Sequence, residues 1–177
     1  MQIRDNDNSI ILTLDLADEN LGFEGIRSDD VLDLSKVNFY ERNKFFKPIK
    51  KKGDYVYLKK GSFYILSTHE AVRVPPDLAC EMVSMDERSG EFRSHYAGFI
   101  DPGWGWGKGG EGKGRPFTLE VRPFEDIIVR QGQPIAKIRF ERMAETPEII
   151  YDSMPSNYIK QSGPRLAKHF KKDAPKS

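Results

Sequence analysis

The sequence is poor in the residue types that build metal centres and disulfides. Its 177 residues include one cysteine, Cys80, and three histidines scattered along the chain. One cysteine excludes an internal disulfide and a cysteine-rich zinc site. The combination of His-x-Glu with Cys-x-x-Cys that zinc deaminases use does not occur in the sequence. We therefore expect no catalytic metal. A single cysteine also gives no indication of an oxidising compartment, so we expect the protein in the cytoplasm.

Long hydrophobic runs and a strong net charge are also missing. No window approaches the roughly 18 apolar residues typical of a membrane span, and the first residues contain no apolar signal core. The formal net charge is +1, so the molecule as a whole attracts nucleic acid only weakly. Neither a P-loop nor a Gly-x-Ser-x-Gly elbow occurs. We expect neither a membrane nor a nucleic acid as a partner.

What the chain does contain is a series of short apolar runs separated by turn residues. With 15 glycines and 11 prolines, this pattern indicates an all-β barrel or jelly roll with short helical turns. Strands are predicted at residues 10–16, 31–37, 55–58, 62–67, 71–74, 117–121, 127–129 and 135–140. Residues 18–30 are predicted as a loop and 38–50 as a loop with a helical turn, while 78–85 fit either a strand or a helix.

The length favours a single domain spanning residues 1–177. Its core is expected to cover about residues 10–143, where the strand pattern is steady. Residues 144–177 lose that pattern and are predicted to be a C-terminal tail, ordered only by docking on something else.

One carboxylate, Glu120, interrupts the otherwise apolar strand pattern of residues 117–121. A buried acid in a strand is costly unless another group pairs with it or the chemistry uses it. In a partly dry pocket its pKa moves toward neutrality, as a shuttle between base and acid requires. Glu120 is therefore the first candidate for catalysis.

Two nearby segments are candidates for binding phosphate. Arg88, Ser89 and Arg93 place two guanidiniums and a hydroxyl within six residues, and arginine binds phosphate in a forked geometry. The alternative is a surface loop in which they pair with neighbouring acids. The glycine-rich stretch 103–114 lacks the P-loop spacing, and a flexible hairpin loop is the alternative to a phosphate cradle there.

The turn formed by residues 101–104 makes a sharp corner just before that stretch. Asp101 is predicted to cap the turn through its own backbone. Trp104 and Trp106 have two open interpretations, stacking on a base or packing at the corner.

Several segments, taken in order over about residues 55–143, resemble the dCTP deaminase and dUTPase superfamily. They are VRVPPDLACEM, RSGEFR, AGFIDPGWG, TLEV and RQGQPIAKIRFERM. They look most like dCTP deaminase, and the ending SNYIKQSGPRLAKHF resembles the tail of its long two-copy form, so the chain looks like the second half of such a protein. The resemblance implies a dUTPase-like distorted jelly-roll β-barrel. It also implies a homotrimer or other homo-oligomer with active sites at subunit interfaces.

The implied reaction is hydrolytic deamination of dCTP to dUTP and ammonia, with Mg²⁺ carried by the triphosphate and no catalytic metal. Glu120 falls on the catalytic glutamate, which takes a proton from the attacking water and delivers it to the pyrimidine ring. The resemblance implies substrate contacts at nine further positions. Arg88, Ser89 and Arg93 would hold phosphates and align the water, and the Ala97 backbone would face that water. Asp101 would lie near the deoxyribose 3′-hydroxyl, and Thr118 and Leu119 would line the base. Tyr151 and Gln161, both in the tail, would fold over the nucleotide.

The chain departs from the family pattern close to these positions. Gly98 and Phe99 stand where the family has histidine and arginine, Asn157 stands in place of a tail lysine, and residues 105–115 form an insertion after the corner. Three functions therefore stay open. They are a dCTP deaminase, a dUTPase or bifunctional enzyme that uses Asp101, and a catalytically silent nucleotide-binding or structural half-domain that needs a partner half.

Overall fold

The computed structural model describes residues 8–17, 20–83, 85 and 98–171. These residues form ten β-strands in antiparallel sheets, and helix among them is limited to two 3₁₀ turns, Arg42–Lys44 and Tyr151–Ser153. The prediction of an all-β fold is confirmed. In chain order the strands are β1 (Ile10–Thr13), β2 (Phe23–Gly25), β3 (Phe46–Pro48), β4 (Tyr55–Leu58), β5 (Tyr64–Ser67), β6 (Leu78–Val83), β7 (Phe99–Ile100), β8 (Thr118–Val121), β9 (Ile127–Arg130) and β10 (Pro134–Arg142). Within the described residues, no helix has the length and apolar character to cross a membrane.

The strands form two four-stranded sheets and one two-stranded sheet that share a core. Their orders are β1-β10-β6-β7, β3-β2-β5-β8 and β4-β9. An isolated bridge between Leu14 and Thr68 links the segments that follow β1 and β5. All three sheets contribute to one buried hydrophobic cluster, which includes Leu12, Val56, Leu58, Tyr64, Leu66, Cys80, Leu119, Val129 and Ile138.

The side chains of β8 alternate between this core and the opposite face of the sheet. Leu119 and Val121 are 1% and 0% exposed and belong to the core, whereas Thr118 and Glu120 are partly buried on the other face. Strand β5 pairs with β8 in a register that sets Ile65 opposite Glu120. The sequence pattern of β8 thus separates two packing residues from two residues that face outward from the core.

Most predicted strands are present, with ends that differ by a few residues, and the ambiguous stretch 78–85 contains strand β6. The predicted strand at 31–37 is wrong. There the carboxylate of Asp33 accepts hydrogen bonds from the Ser35 N–H at 3.0 Å and the Ser35 hydroxyl at 2.7 Å, which closes a local turn instead. The predicted strand at 71–74 is reduced to a single bridge between Val72 and Arg115.

Two short strands lie inside stretches that were predicted as loops. Strand β2 lies within residues 18–30, and strand β3 follows the helical turn within residues 38–50. Strand β2 pairs with β3 on one side and with β5 on the other. Pairing with distant strands, and not local propensity, therefore fixes these three-residue segments.

The described part of the C-terminal tail docks on the strands of the same chain. Phe170 is buried, and its ring makes T-shaped contacts with Phe45 and Phe46 at centroid distances of 5.6 and 5.3 Å. The N–H groups of Asn38 and Phe39 donate to carbonyls of Lys168 and His169 at 2.8 and 2.9 Å. The surface that orders the tail is therefore provided by the chain itself.

The corner at Gly103 holds the start of the tail against the segment before β6. Gly103 has φ +86°, and a Cβ added there would lie 2.5 Å from the Cβ of Ile150. The Gly103 N–H donates to the Val74 carbonyl at 3.1 Å, and the Tyr151 N–H donates to the Pro102 carbonyl at 2.9 Å. A side chain at position 103 would thus separate the corner from the tail.

Alanine at position 103 tests this packing against a matched control. Gly53 also has a positive φ, but nothing lies within 4 Å of a Cβ added there. We expect Gly53→Ala to cost about 1–2 kcal/mol for the left-handed backbone alone. Gly103→Ala should cost about 1–3 kcal/mol more, because its methyl group displaces Ile150. Urea unfolding measures both variants, and equal losses would contradict the close packing at the corner.

Candidate active site

A cavity of about 490 Å³ opens beside the outward face of β8. Thr118 and Glu120 line it from β8, and Ile65 lines it from the neighbouring strand. Among the described residues that line it, the other polar or charged ones are Asp101, Gln161, Arg165 and two tyrosines. The rest of the wall is aromatic and apolar, formed by Phe46, Phe63, Met82, Phe99, Ile100, Trp104, Phe117, Tyr151, Tyr158, Leu166, Ala167 and Phe170. A concave, mainly apolar site with a few convergent polar groups is the usual form of a small-molecule site.

The carboxyl group of Glu120 is half-buried in this wall. Loss of solvent raises the pKa of Glu120, because the charged form is the one that water stabilises. Burial is also the main cause of the raised pKa of Tyr158, and the negative charge of Glu120 adds a smaller contribution. A carboxyl group with this shift exchanges protons closer to neutral pH, which suits general acid–base chemistry. Among the described residues, no three His, Cys, Asp or Glu side chains come together as a possible metal site.

The tail closes part of the cavity by hydrogen bonding to β8. Gln161 is only 6% exposed, and its Nε2 donates to the Thr118 hydroxyl at 2.7 Å and to the Pro116 carbonyl at 3.2 Å. The Tyr151 hydroxyl shares a hydrogen bond with the Ser156 hydroxyl at 2.7 Å. The ring of Tyr151 lies 5.0 Å from that of Trp104. These contacts bring two tail residues into the same wall as Glu120.

A buried ion pair between Arg115 and Asp152 fixes the tail in this position. Their side chains are 7% and 9% exposed, and the Arg115 guanidinium also donates to the Tyr158 carbonyl at 3.1 Å. The guanidinium lies 4.5 Å from the centroid of the Trp104 ring, and the Asp152 carboxylate accepts the Gly107 N–H at 2.8 Å. Sequence analysis missed this pair because the two residues are 37 positions apart and neither belongs to a local pattern.

The glycine-rich insertion 105–115 forms a compact hydrogen-bonded loop. The Gly114 N–H donates to the Gly105 carbonyl at 3.0 Å, and the Gly112 N–H donates to the Trp106 carbonyl at 2.6 Å. Arg73 covers Trp106, with its guanidinium 4.0 Å from the ring centroid. None of residues 105–115, all of which the structure describes, lines the cavity. This arrangement gives the phosphate-cradle interpretation no support.

Five of the ten residues predicted for catalysis or substrate contact line the cavity: Asp101, Thr118, Glu120, Tyr151 and Gln161. The backbone turn expected at Asp101 is present, since its carbonyl accepts the Trp104 N–H at 3.2 Å. Trp104 packs at the corner and also lines the cavity, whereas Trp106 lies against Arg73.

Leu119 is not among the residues that line the cavity, and its contact with the base stays a prediction. Its side chain lies in the core because neighbouring residues of a strand point to opposite faces. The predicted phosphate- and water-contacting positions Arg88, Ser89, Arg93 and Ala97 lie outside the described residues. Sequence analysis also missed Tyr158 and Arg165, which the tail brings into the wall.

Comparisons with known proteins identify the class and then the family. Residues 2–170 match the family described as 2′-deoxycytidine 5′-triphosphate deaminase (DCD), C-terminal domain. The chain is also similar to the crystal structure of 2′-deoxycytidine 5′-triphosphate deaminase from Agrobacterium tumefaciens, with 39% identity and a TM-score of 0.70, over 78% of this chain and 43% of that chain. The sheets therefore have the dUTPase-like fold of the dCTP deaminase superfamily. Within this superfamily, the chain belongs to the family of dCTP deaminase C-terminal domains, which confirms the resemblance seen in the sequence.

Only part of the solved deaminase chain is matched by this chain. The chain spans less than half the length of the solved deaminase chain. Among curated proteins, no match is found.

Neutralising Asp152 tests whether the buried pair holds the site together. We expect Asp152→Asn to lower the free energy of unfolding by about 3–5 kcal/mol, because it leaves the Arg115 charge buried without its counter-ion. The control is Glu81→Gln, which breaks an ion pair with Arg139 whose side chains are 50% and 40% exposed. That change should cost about 0–1 kcal/mol. Urea unfolding measures both variants. If Asp152→Asn and Glu81→Gln lower the free energy of unfolding by the same small amount, the Arg115–Asp152 pair contributes little to stability.

Proposed function

We propose that this domain carries out hydrolytic deamination of dCTP to dUTP and ammonia, in pyrimidine deoxynucleotide metabolism, with Glu120 as the proton shuttle. The observation that carries the proposal is the position of Glu120 in the wall of the cavity, with a pKa raised by burial. The relative with a similar fold is a 2′-deoxycytidine 5′-triphosphate deaminase, which supports the same substrate here.

The chemistry needs one group that both accepts and donates protons. In the first step Glu120 takes a proton from water while the water oxygen bonds to C4 of cytosine, and the proton passes to N3. In the second step Glu120 moves the remaining hydroxyl proton to the amino group. The C4–N bond then breaks, ammonia leaves, and C4 becomes the carbonyl carbon of uracil. A carboxyl group that is neither strongly acidic nor always protonated suits both transfers.

The rest of the cavity supports binding of a pyrimidine deoxynucleotide. The apolar walls exclude bulk water from the base. We assign Thr118 and Leu119 to the base side, because Leu119 adjoins Glu120 on β8 and Thr118 lies one residue further along the strand. Asp101 is assigned to the deoxyribose 3′-hydroxyl. Tyr151 and Gln161 are assigned to the part of the tail that covers the nucleotide, and the hydrogen bond from Gln161 to the Thr118 hydroxyl joins that part to the base side.

The remaining parts of the proposal concern the phosphates and the assembly. Arg88, Ser89 and Arg93 are proposed to hold the triphosphate, which brings Mg²⁺ with it as part of the substrate, and the Ala97 backbone is proposed to face the water. The active form is proposed to be a cytoplasmic homotrimer or other homo-oligomer with active sites between subunits. Family membership is the support for these assignments.

Two other functions each have an observation in their favour. A catalytically silent half-domain fits the departures from the family pattern at Gly98 and Phe99, and it fits the coverage of only 43% of the similar deaminase chain. A dUTPase or bifunctional enzyme fits the presence of Asp101 in the same cavity. The products formed from dCTP and dUTP separate the three.

The deciding assay incubates the purified chain with dCTP and, separately, with dUTP, each in the presence of Mg²⁺, and measures dUTP, dUMP, pyrophosphate and ammonia. We expect dUTP and ammonia from the wild type, and a loss of at least about 100-fold in kcat for Glu120→Gln, because the variant cannot accept a proton. The control is Glu125→Gln, which removes one exposed carboxylate outside the cavity lining and should leave kcat unchanged. Formation of dUMP and pyrophosphate from dUTP would indicate a dUTPase, or a bifunctional enzyme if dCTP also releases ammonia, and no product from either nucleotide with a folded chain would indicate a silent half-domain.

The raised pKa of Glu120 also predicts a pH-dependent effect on stability. In the pH range between the ordinary carboxyl pKa and the raised one, the folded state binds more protons than the unfolded state, so stability falls as pH rises. Glu120→Gln removes this dependence. The variant should therefore become more stable than the wild type as pH rises through that range, and the difference should level off above it.

Thermal unfolding of both proteins across pH measures this difference. The Glu125→Gln variant is the matched control and should track the wild type, because Glu125 is exposed. A stability difference for Glu120→Gln that stays constant with pH would contradict the desolvated carboxyl group.

A further inference from the structure

The last described part of the tail, residues 164–171, separates the cavity from a second pocket of about 220 Å³. Arg165, Leu166, Ala167 and Phe170 line both. This segment is therefore a shared wall. Any ligand that fixes the segment from the second pocket also fixes one side of the cavity that holds Glu120.

Positive charge collects in the second pocket, which we call the basic pocket. Its charged lining residues are Arg42, Arg165, Lys168 and Lys171, and the described residues that line it include no carboxylate. Glu41 forms an ion pair with Lys171 without lining the pocket. Among the described residues no ion pair holds Arg165 or Lys168, so these two side chains leave the pocket with an excess of positive charge although the whole chain has a net charge of only +1. Such a local excess in a concave surface attracts anions.

Arg165 has the geometry of a ligand-binding arginine. Its Nη2 lies 3.5 Å from Oδ1 of Asn157, a neutral partner at the long limit of a hydrogen bond. Within the described part of the chain this is its hydrogen-bonding partner, so most of its donors remain available. Arg42 lines the same pocket with its guanidinium 5.7 Å from the centroid of the Phe23 ring. Two guanidiniums in one pocket suit the oxygens of a phosphate, which arginine binds in a forked geometry.

We propose that the basic pocket binds a phosphate-bearing anion through Arg42, Arg165 and Lys168. Arg165 and Lys168 belong to the tail, and Arg42 belongs to the first 3₁₀ turn. The bound anion therefore joins the tail to the body of the fold and stabilises the wall shared with the cavity. The phosphates of the nucleotide substrate and a separate oligophosphate offer the same chemistry to this pocket.

The test is a calorimetric titration with inorganic tripolyphosphate, without Mg²⁺ and at constant ionic strength. We expect saturable binding by the wild type and at least about tenfold weaker binding by the double variant Arg42→Gln/Arg165→Gln, which loses several charge-assisted hydrogen bonds. The control is Arg130→Gln/Arg142→Gln, which changes net charge equally at two exposed arginines paired with Asp54 and Asp77. It should bind like the wild type.

The proposal would be overturned if the two double variants bound tripolyphosphate with equal affinity, or if the wild type showed no saturable binding of it. If the first double variant does not fold, Lys168→Gln changes an exposed side chain and should weaken binding severalfold. Glu120→Gln should bind tripolyphosphate like the wild type, so anion binding is judged separately from deamination. Displacement of tripolyphosphate by dCTP would identify the substrate's own phosphates as the anion, and simultaneous binding would identify a separate one. Both results support anion binding in the basic pocket.

Discussion

The buried ion pair between Arg115 and Asp152 connects the start of β8, the corner, the glycine-rich loop and the C-terminal tail. Arg115 precedes β8, stacks near Trp104 of the corner and donates to a tail carbonyl, while Asp152 also accepts a backbone N–H of the glycine-rich loop. Two charges buried this deeply are stable only as a pair. Because each partner needs the other, the tail, the loop and the start of β8 are held in one arrangement. The compact loop behind the corner thus supports the site without contributing to its wall.

The tail that the ion pair holds in place lines the same cavity as Glu120. Tail residues Tyr151, Tyr158 and Gln161 form part of the wall around its carboxyl group. The resulting rise in pKa costs stability at neutral pH, since the folded state holds a carboxylate in a place that favours the acid form. A structural residue would gain nothing from this cost. The proposed role of Glu120 as a proton shuttle would account for this cost, because a raised pKa brings its proton exchange closer to neutral pH.

The sequence predicts the local features of this molecule better than the tertiary ones. The all-β class follows from short runs and turn residues, and Glu120 stands out because a carboxylate in an apolar strand pattern is costly. The side chain of Leu119 lies in the core because neighbouring residues of a strand point to opposite faces. The strand expected at 31–37 fails because the Asp33 carboxylate closes a turn with Ser35. Strand β2 and the Arg115–Asp152 pair depend on partners far away in the chain, so no local pattern reveals them.

The most direct test of this account is an NMR titration of the Glu120 carboxyl carbon in the wild type and in the Asp152→Asn variant. The wild type should show a Glu120 pKa above the ordinary glutamate value, because the docked tail removes water from the carboxyl group. In the folded variant the pKa should move back toward that value, because the tail has lost the charge that anchors it. An ordinary pKa in the wild type would contradict the desolvated site. A raised pKa that the variant leaves unchanged would contradict the role of the buried ion pair in forming it.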